Sequence, residues 1–142
     1  MYLETTRIPA TKTVGEITSV LAQAGAGQIM QTLQEGQVVA VQFELKGSHY
    51  RLPARVDPVF ERLSAQRSPR SRNQREIADM DQATRVAWRQ IFYWIKAQLA
   101  LIETGMVNPQ EVFLPYMTNK KGQTLYQLFA DRGPKAPPVL GD

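Results

Sequence analysis

Arginine and lysine grip phosphate, and eight of them fall in one window: Lys46, Arg51, Arg55, Arg62, Arg67, Arg70, Arg72 and Arg75. Only Asp57 and Glu61 oppose them, so the window carries net +6 in a chain whose total is +4. The remainder is slightly acidic, and such an asymmetry points to a polyanionic partner. Each neutralised phosphate releases a counterion, and a guanidinium can bind phosphate bidentately and stack on bases. The run Arg67-x-x-Arg70-x-Arg72-x-x-Arg75 lies in a polar stretch. It suits a contact that follows a backbone without reading bases. A solvated, self-repelling loop or an acidic protein surface are the plainer alternatives. Binding of single strands usually adds aromatic platforms to a positive groove. His49 and Tyr50, flanked by Lys46, Arg51 and Arg55, are the candidates. Strand alternation sends His49 and Arg51 to one face and Tyr50 to the other, with Phe43 and the core.

A second constellation could do catalysis. Glu44-Leu45-Lys46 sets an acid and a lysine two apart at the end of a strand. Metal-dependent nucleases use such a layout, carboxylates holding Mg²⁺ and the lysine steadying the attacking water. The layout needs a second carboxylate, and only Glu16 and Glu35 are available before Asp57. An exposed charge pair on an edge strand is the plainer reading. The chain has one histidine and no cysteine, which leaves no zinc set and no nucleophilic triad. Gly25-Ala26-Gly27 lies between a helix and a strand, the reverse of the order that aims amide groups at phosphate. It reads as a helix stop. No catalytic residue, metal or cofactor is assigned.

The elements that must position these residues follow from periodicity. Val14, Ile17, Val20, Leu21 and Ala24 mark one face of a helix, with Thr13 and Glu16 spaced as a capping box. Strands are expected at 28–34, 37–45 and 49–52, with turns at Glu35-Gly36 and Gly47-Ser48. Ile29, Gln31 and Leu33 would share one face of the first strand, and Val39, Val41, Phe43 and Leu45 one face of the second. Asp57-Pro58 opens a helix to about Ser64. Residues 64–76 read as a mobile basic loop. A long helix is expected from about 81 to 104, its inward stripe running through Ala83, Val86, Ala87, Ile91, Trp94, Ile95, Gln98 and Ile102. Trp88, Phe92 and Leu99 lie beside that stripe. Its apolar surface is wider than a one-sided helix needs. The helix is therefore central to the fold or shares a face with a second copy. A short helical turn follows at Asn108, then an apolar patch at 112–116, a turn at 119–122 and a last helix carrying Leu125, Leu128 and Phe129. Residues 133–142 hold three prolines and read as a flexible tail.

A length of 142 residues with 43% hydrophobic content suits one core. The expected organisation is one α+β domain over 1–132, with a three-stranded antiparallel meander and helices on one sheet face. There is no signal-peptide pattern and no apolar run long enough for a membrane span, so a cytoplasmic protein is expected. The segments Ile8–Thr13, Arg51–Ala54, Ala87–Arg89 through Gln98–Glu103, and Val112–Tyr116 together resemble a group of small phage- and prophage-encoded proteins of uncharacterised function. The similarity runs from residue 7 to about 130. It implies a viral setting among replication or recombination genes and transfers no site residue. The α-β-β-β-α order also matches, as topology alone, double-stranded-RNA-binding domains; a β-β-β-α core recurs in strand-annealing proteins. The expectation is a non-enzymatic, sequence-tolerant nucleic-acid-binding protein favouring single-stranded DNA, using Lys46, His49, Arg51, Arg55, Arg62, Arg67, Arg70, Arg72 and Arg75. The alternatives are a nuclease built on Glu44 and Lys46, or an interaction protein assembling through the long helix.

Overall fold

The structure is a computed structural model that describes residues 1–65 and 72–132, with the side chains of 72–78 left out. The fold is α+β: helix α1 (Ala10–Gln23), strands β1 (Gly27–Gln34), β2 (Gln37–Leu45) and β3 (Ser48–Pro53), then helices α2 (Val56–Ala65), α3 (Arg72–Glu103), α4 (Pro109–Phe113) and α5 (Leu125–Asp131). A 3₁₀ turn, Leu114–Tyr116, joins α4 to the segment before α5. The strands form an antiparallel meander in the order β1-β2-β3. No helix among the described residues is long and apolar enough to cross a membrane.

α1 starts four residues earlier than the Thr13 cap implies. Pro9 is the N-cap, with no side-chain cap. Thr13 and Glu16 are instead spent on tertiary contacts: Thr13 is fully buried, and Glu16 accepts from Arg89 of α3 at 2.8 Å. The helix stops where glycine allows it. Gly25 takes φ +93°, and the bonds Ala26 N–H to Leu21 and Gly25 N–H to Ala22 close a Schellman motif.

Both hairpins turn in two residues. Glu35-Gly36 and Lys46-Gly47 have positive φ at both positions. That is the type I′ geometry which matches strand twist. Gly47-Ser48 is thus corrected to Lys46-Gly47, with Ser48 already paired to Leu45. β1 departs further from its expected faces. Register shifts fall between Gly27 and Met30, where β1 carries the extra residue, and between Thr32 and Leu33, where Val39 is the extra residue on β2. Ile29 packs on the core, but Leu33 is 63% exposed. On β2 the second bulge turns Val38, rather than Val39, to the core; the Val39 carbonyl accepts from Ala54.

The core lies between the inner sheet face and α1 and α3. Val41, Phe43, Leu45, Tyr50 and Leu52 meet Val14, Ile17 and Leu21 of α1 and Trp88, Phe92, Ile95 and Leu99 of α3. α3 is central to the fold. Ala83, Val86, Ala87 and Ile95 of the expected stripe are buried, and so are the neighbouring Trp88, Phe92 and Leu99, while Ile91, Trp94 and Ile102 are only partly buried. The buried surface is therefore the expected stripe in the first half of the helix and shifts toward Trp88, Phe92 and Leu99 in the second half. Two buttressing sides widen the apolar surface: α1 packs on one flank and α2 on another. Phe113 of α4 is fully buried and packs on Phe43 and Tyr50 at 5.5 Å and on Trp94 at 5.6 Å. This aromatic cluster anchors the segment that follows α4. Burial pushes the Tyr50 hydroxyl above its ordinary pKa, with the Ser48 hydroxyl pulling it partly back.

A part-buried ion pair joins α1 to α3. Arg89 bonds Glu16, approaches Thr13 Oγ1 at 3.4 Å and lies 4.7 Å from the Phe92 ring centre. Burial disfavours charge on Arg89, but hydrogen bonds and attraction from Glu16 and Tyr93 outweigh it and hold the pKa above its ordinary value.

Candidate nucleic-acid interface

The β2–β3 hairpin decides which cations share a surface. Its register pairs Gln42 with Arg51 and Glu44 with His49 on one face, and Val41 with Leu52 and Phe43 with Tyr50 on the other. The second set is core. His49 and Arg51 therefore point away from it, and Tyr50 is only 1% exposed. The expected split of His49 and Arg51 from Tyr50 is what the sheet displays. Tyr50 is removed as a stacking platform by the same geometry.

The outer face is polar and open. Gln42, Glu44 and Arg51 are half-buried and His49 is exposed. A shallow groove of about 430 Å³ runs over it, floored by Gln28, Met30, Gln42 and His49 and walled by Thr118, Asn119, Lys120 and Gly122. That wall is a turn organised by one side chain. Asn119 Oδ1 accepts from Lys121 N–H at 2.9 Å and from Gln123 N–H at 3.0 Å. The Asn119 backbone N–H bonds Gln123 O, and Gly122 closes the turn at φ +79°. Thr118 N–H donates to His49 O at 2.9 Å, and Tyr50 bridges to Met117. The turn is thus fastened to the free edge of β3, with Lys120 and Lys121 exposed at its tip.

Lys120 lines this groove and Lys121 is exposed beside it, yet Lys120 lies 45 residues beyond Arg75, the end of the basic window. Sequence reasoning placed them in a turn and stopped there. A local charge window cannot report a contact made across the fold. The available signal was Asn-Lys-Lys-Gly just after an apolar patch that must dock.

The rest of the basic block is spread out. Arg55 follows β3, about 20 Å along the edge from His49 at the usual rise per residue. It is exposed, with its guanidinium 5.6 Å above the ring of Tyr126 on α5. Arg62 is exposed on α2, which packs on α3 rather than on the sheet. Arg67 and Arg70 lie outside the described residues. Arg72 and Arg75 stand on the first turns of α3, which begins nine residues before the expected start. The expected loop at 64–76 is corrected accordingly: α2 runs through Ala65 and α3 starts at Arg72. Among the described residues, none of Lys46, Arg51, Arg55, Lys120 and Lys121 is paired to an acid; the ion pairs are Met1–Glu4 and Arg89–Glu16.

Glu44 and Lys46 are not set as a catalytic pair. Lys46 occupies the turn itself at φ +49°, and Glu44 Oε1 accepts from Gly47 N–H at 3.1 Å. The carboxylate therefore ties down the hairpin. Glu16 is held by Arg89, and Glu35 sits in the turn at the opposite end of β2, roughly 30 Å away at the strand rise. No group of three or more His, Cys, Asp or Glu able to hold a metal ion occurs among the described residues.

No protein-family model, curated protein or solved structure matches this chain.

Proposed function

We propose that the chain binds nucleic acid without reading its sequence, taking single-stranded DNA along the β3 margin. The observation that carries this reading is the meeting of two separate stretches of chain. His49 lines the outer-face groove together with Lys120 of the fastened turn, Arg51 lies on the same sheet face as His49, and Lys46 and Lys121 are exposed in the two adjoining turns. Arg55 extends the margin beyond the end of β3. Cations without acidic partners spend their full attraction on an incoming anion, and their salt-sensitive field steers it. Together with the +6 window, this supports a polyphosphate ligand over a mere solubility device.

A single strand suits the surface better than a duplex. His49 is exposed beside these cations and offers its ring to an unstacked base, which a single strand presents and a duplex does not. An open sheet margin accommodates a flexible strand lying along it. The residues assigned are Lys46, His49, Arg51, Arg55, Lys120 and Lys121. Arg62, Arg67, Arg70, Arg72 and Arg75 would extend the path of the strand beyond that margin. The reading also accords with the phage-like setting that the sequence resemblance implies. The experiment is competition among a single-stranded DNA, its duplex and the equivalent RNA for the protein at fixed salt. Preference for the single-stranded DNA is expected. Preference for the duplex would overturn the strand assignment, and failure to bind any of the three would overturn the function.

A further inference from the structure

Between α5 and the 3₁₀ turn lies an apolar groove of about 360 Å³. Leu114, Leu125, Tyr126, Leu128 and Phe129 line it, and each is exposed, Tyr126 by 49% and Phe129 by 39%. No residue of α5 is buried. The helix is started by its Thr124–Gln127 capping box and packs against the 3₁₀ turn, which leaves its apolar face open. The expected last helix carrying Leu125, Leu128 and Phe129 is present, with all three side chains exposed.

The rim decides what the ligand is. Arg132 lines the groove, and Arg55 reaches over Tyr126 from the end of β3. Asp131 is the single acid on α5. A floor of aromatic and aliphatic side chains under two guanidinium groups complements a chain that alternates apolar ring faces with anionic linkers. That is a single-stranded nucleic acid. A purely apolar peptide would desolvate both arginines for nothing. A second copy docking the same groove by a two-fold axis would bring like charges together.

We propose that this groove is a nucleobase site: a base stacks on Tyr126 and Phe129 while Arg55 and Arg132 hold the adjoining phosphates. It rests on the nucleic-acid reading above and adds to it, since phosphate contacts alone need no aromatic floor. Arg55 belongs to both surfaces and joins the β3 margin to the groove.

The test compares a thymidine oligomer with an abasic oligomer of equal length and charge, about 15 nucleotides, within the site sizes usual for such proteins. Binding is read by fluorescence anisotropy of the labelled oligomers, for the wild type, Tyr126→Ala and Tyr126→Phe. The wild type should prefer the thymidine oligomer. Tyr126→Ala should weaken that oligomer about 5- to 150-fold, the worth of one stacked base. It should weaken the abasic oligomer much less, by no more than the loss of the Arg55 phosphate contact that the Tyr126 ring supports, and Tyr126→Phe should retain the preference. Equal wild-type affinity for both oligomers would overturn the base site and spare the phosphate margin. Equal loss of both oligomers in Tyr126→Ala would also overturn it, as would self-association abolished by Tyr126→Ala regardless of oligomer. Failure of the wild type to bind either oligomer would remove the underlying function as well.

Discussion

Glu16→Ala tests the joint between α1 and α3. Glu16 Oε2 meets Arg89 Nη1 at 2.8 Å; the arginine side chain is 9% exposed and the glutamate 32%. Two unit charges about 4 Å apart attract by about 4 kcal/mol at an effective dielectric constant of about 20. Water around Glu16 screens part of that. Breaking a fully buried pair costs about 3–5 kcal/mol, and an exposed pair contributes at most about 1 kcal/mol. The half-wet pair falls between them, at about 2 kcal/mol for Glu16→Ala. Arg89→Met should cost less, about 1 kcal/mol, because it leaves no buried charge without a partner. Glu16 is exposed enough to be rehydrated once released. Urea unfolding followed by tryptophan fluorescence reads the difference, since Trp88 is 1% exposed in the same core. The reasoning fails if Glu16→Ala costs under about 0.5 kcal/mol, or if Arg89→Met costs more than Glu16→Ala.

Replacing both Lys120 and Lys121 by alanine should lower the slope of log affinity against log salt by about 1.4, at about 0.7 per phosphate contact for a single strand. A salt titration of the double variant checks it, and thermal unfolding should show little change because both side chains are exposed. Tyr50 has its folded pKa raised above the ordinary 10.0. Its contribution is therefore fully present below that pH and lost as pH rises through the folded value. Urea midpoints measured from neutral to strongly alkaline pH should fall more steeply in the wild type than in Tyr50→Phe. Gly47→Ala places a Cβ at φ +86° and should cost about 1 kcal/mol. The same urea unfolding reads that loss.

Strand alternation, helix periodicity and turn chemistry made most of the scaffold legible. The His49/Tyr50 split needed nothing beyond a period of two. Where the reading failed, a tertiary contact or a bulge had intervened. Thr13 and Glu16 have the spacing of a cap, but their partner Arg89 is more than 70 residues away. Val39 was assigned to a face by unbroken alternation, which the bulge on β2 interrupts; Leu33 keeps its place opposite Val38 but is left exposed near the end of the edge strand β1. The α3 stripe was only partly legible, Ala83, Val86, Ala87 and Ile95 being buried as expected, because a helix packed on several sides has no single apolar face to detect. The candidate surface was half legible for a related reason. Charge counting finds Lys46, Arg51 and Arg55 together in one window. It cannot see that Phe113 docks the α4 segment and so brings Lys120 and Lys121 to the edge of β3.

The most direct measurement is the salt dependence of wild-type binding to a single-stranded DNA of mixed sequence. The five cations Lys46, Arg51, Arg55, Lys120 and Lys121 predict a linear log–log slope of at least about −3.5, with little change when the base sequence is scrambled. Absence of binding near about 50 mM salt, or a slope shallower than about −1, would contradict the account.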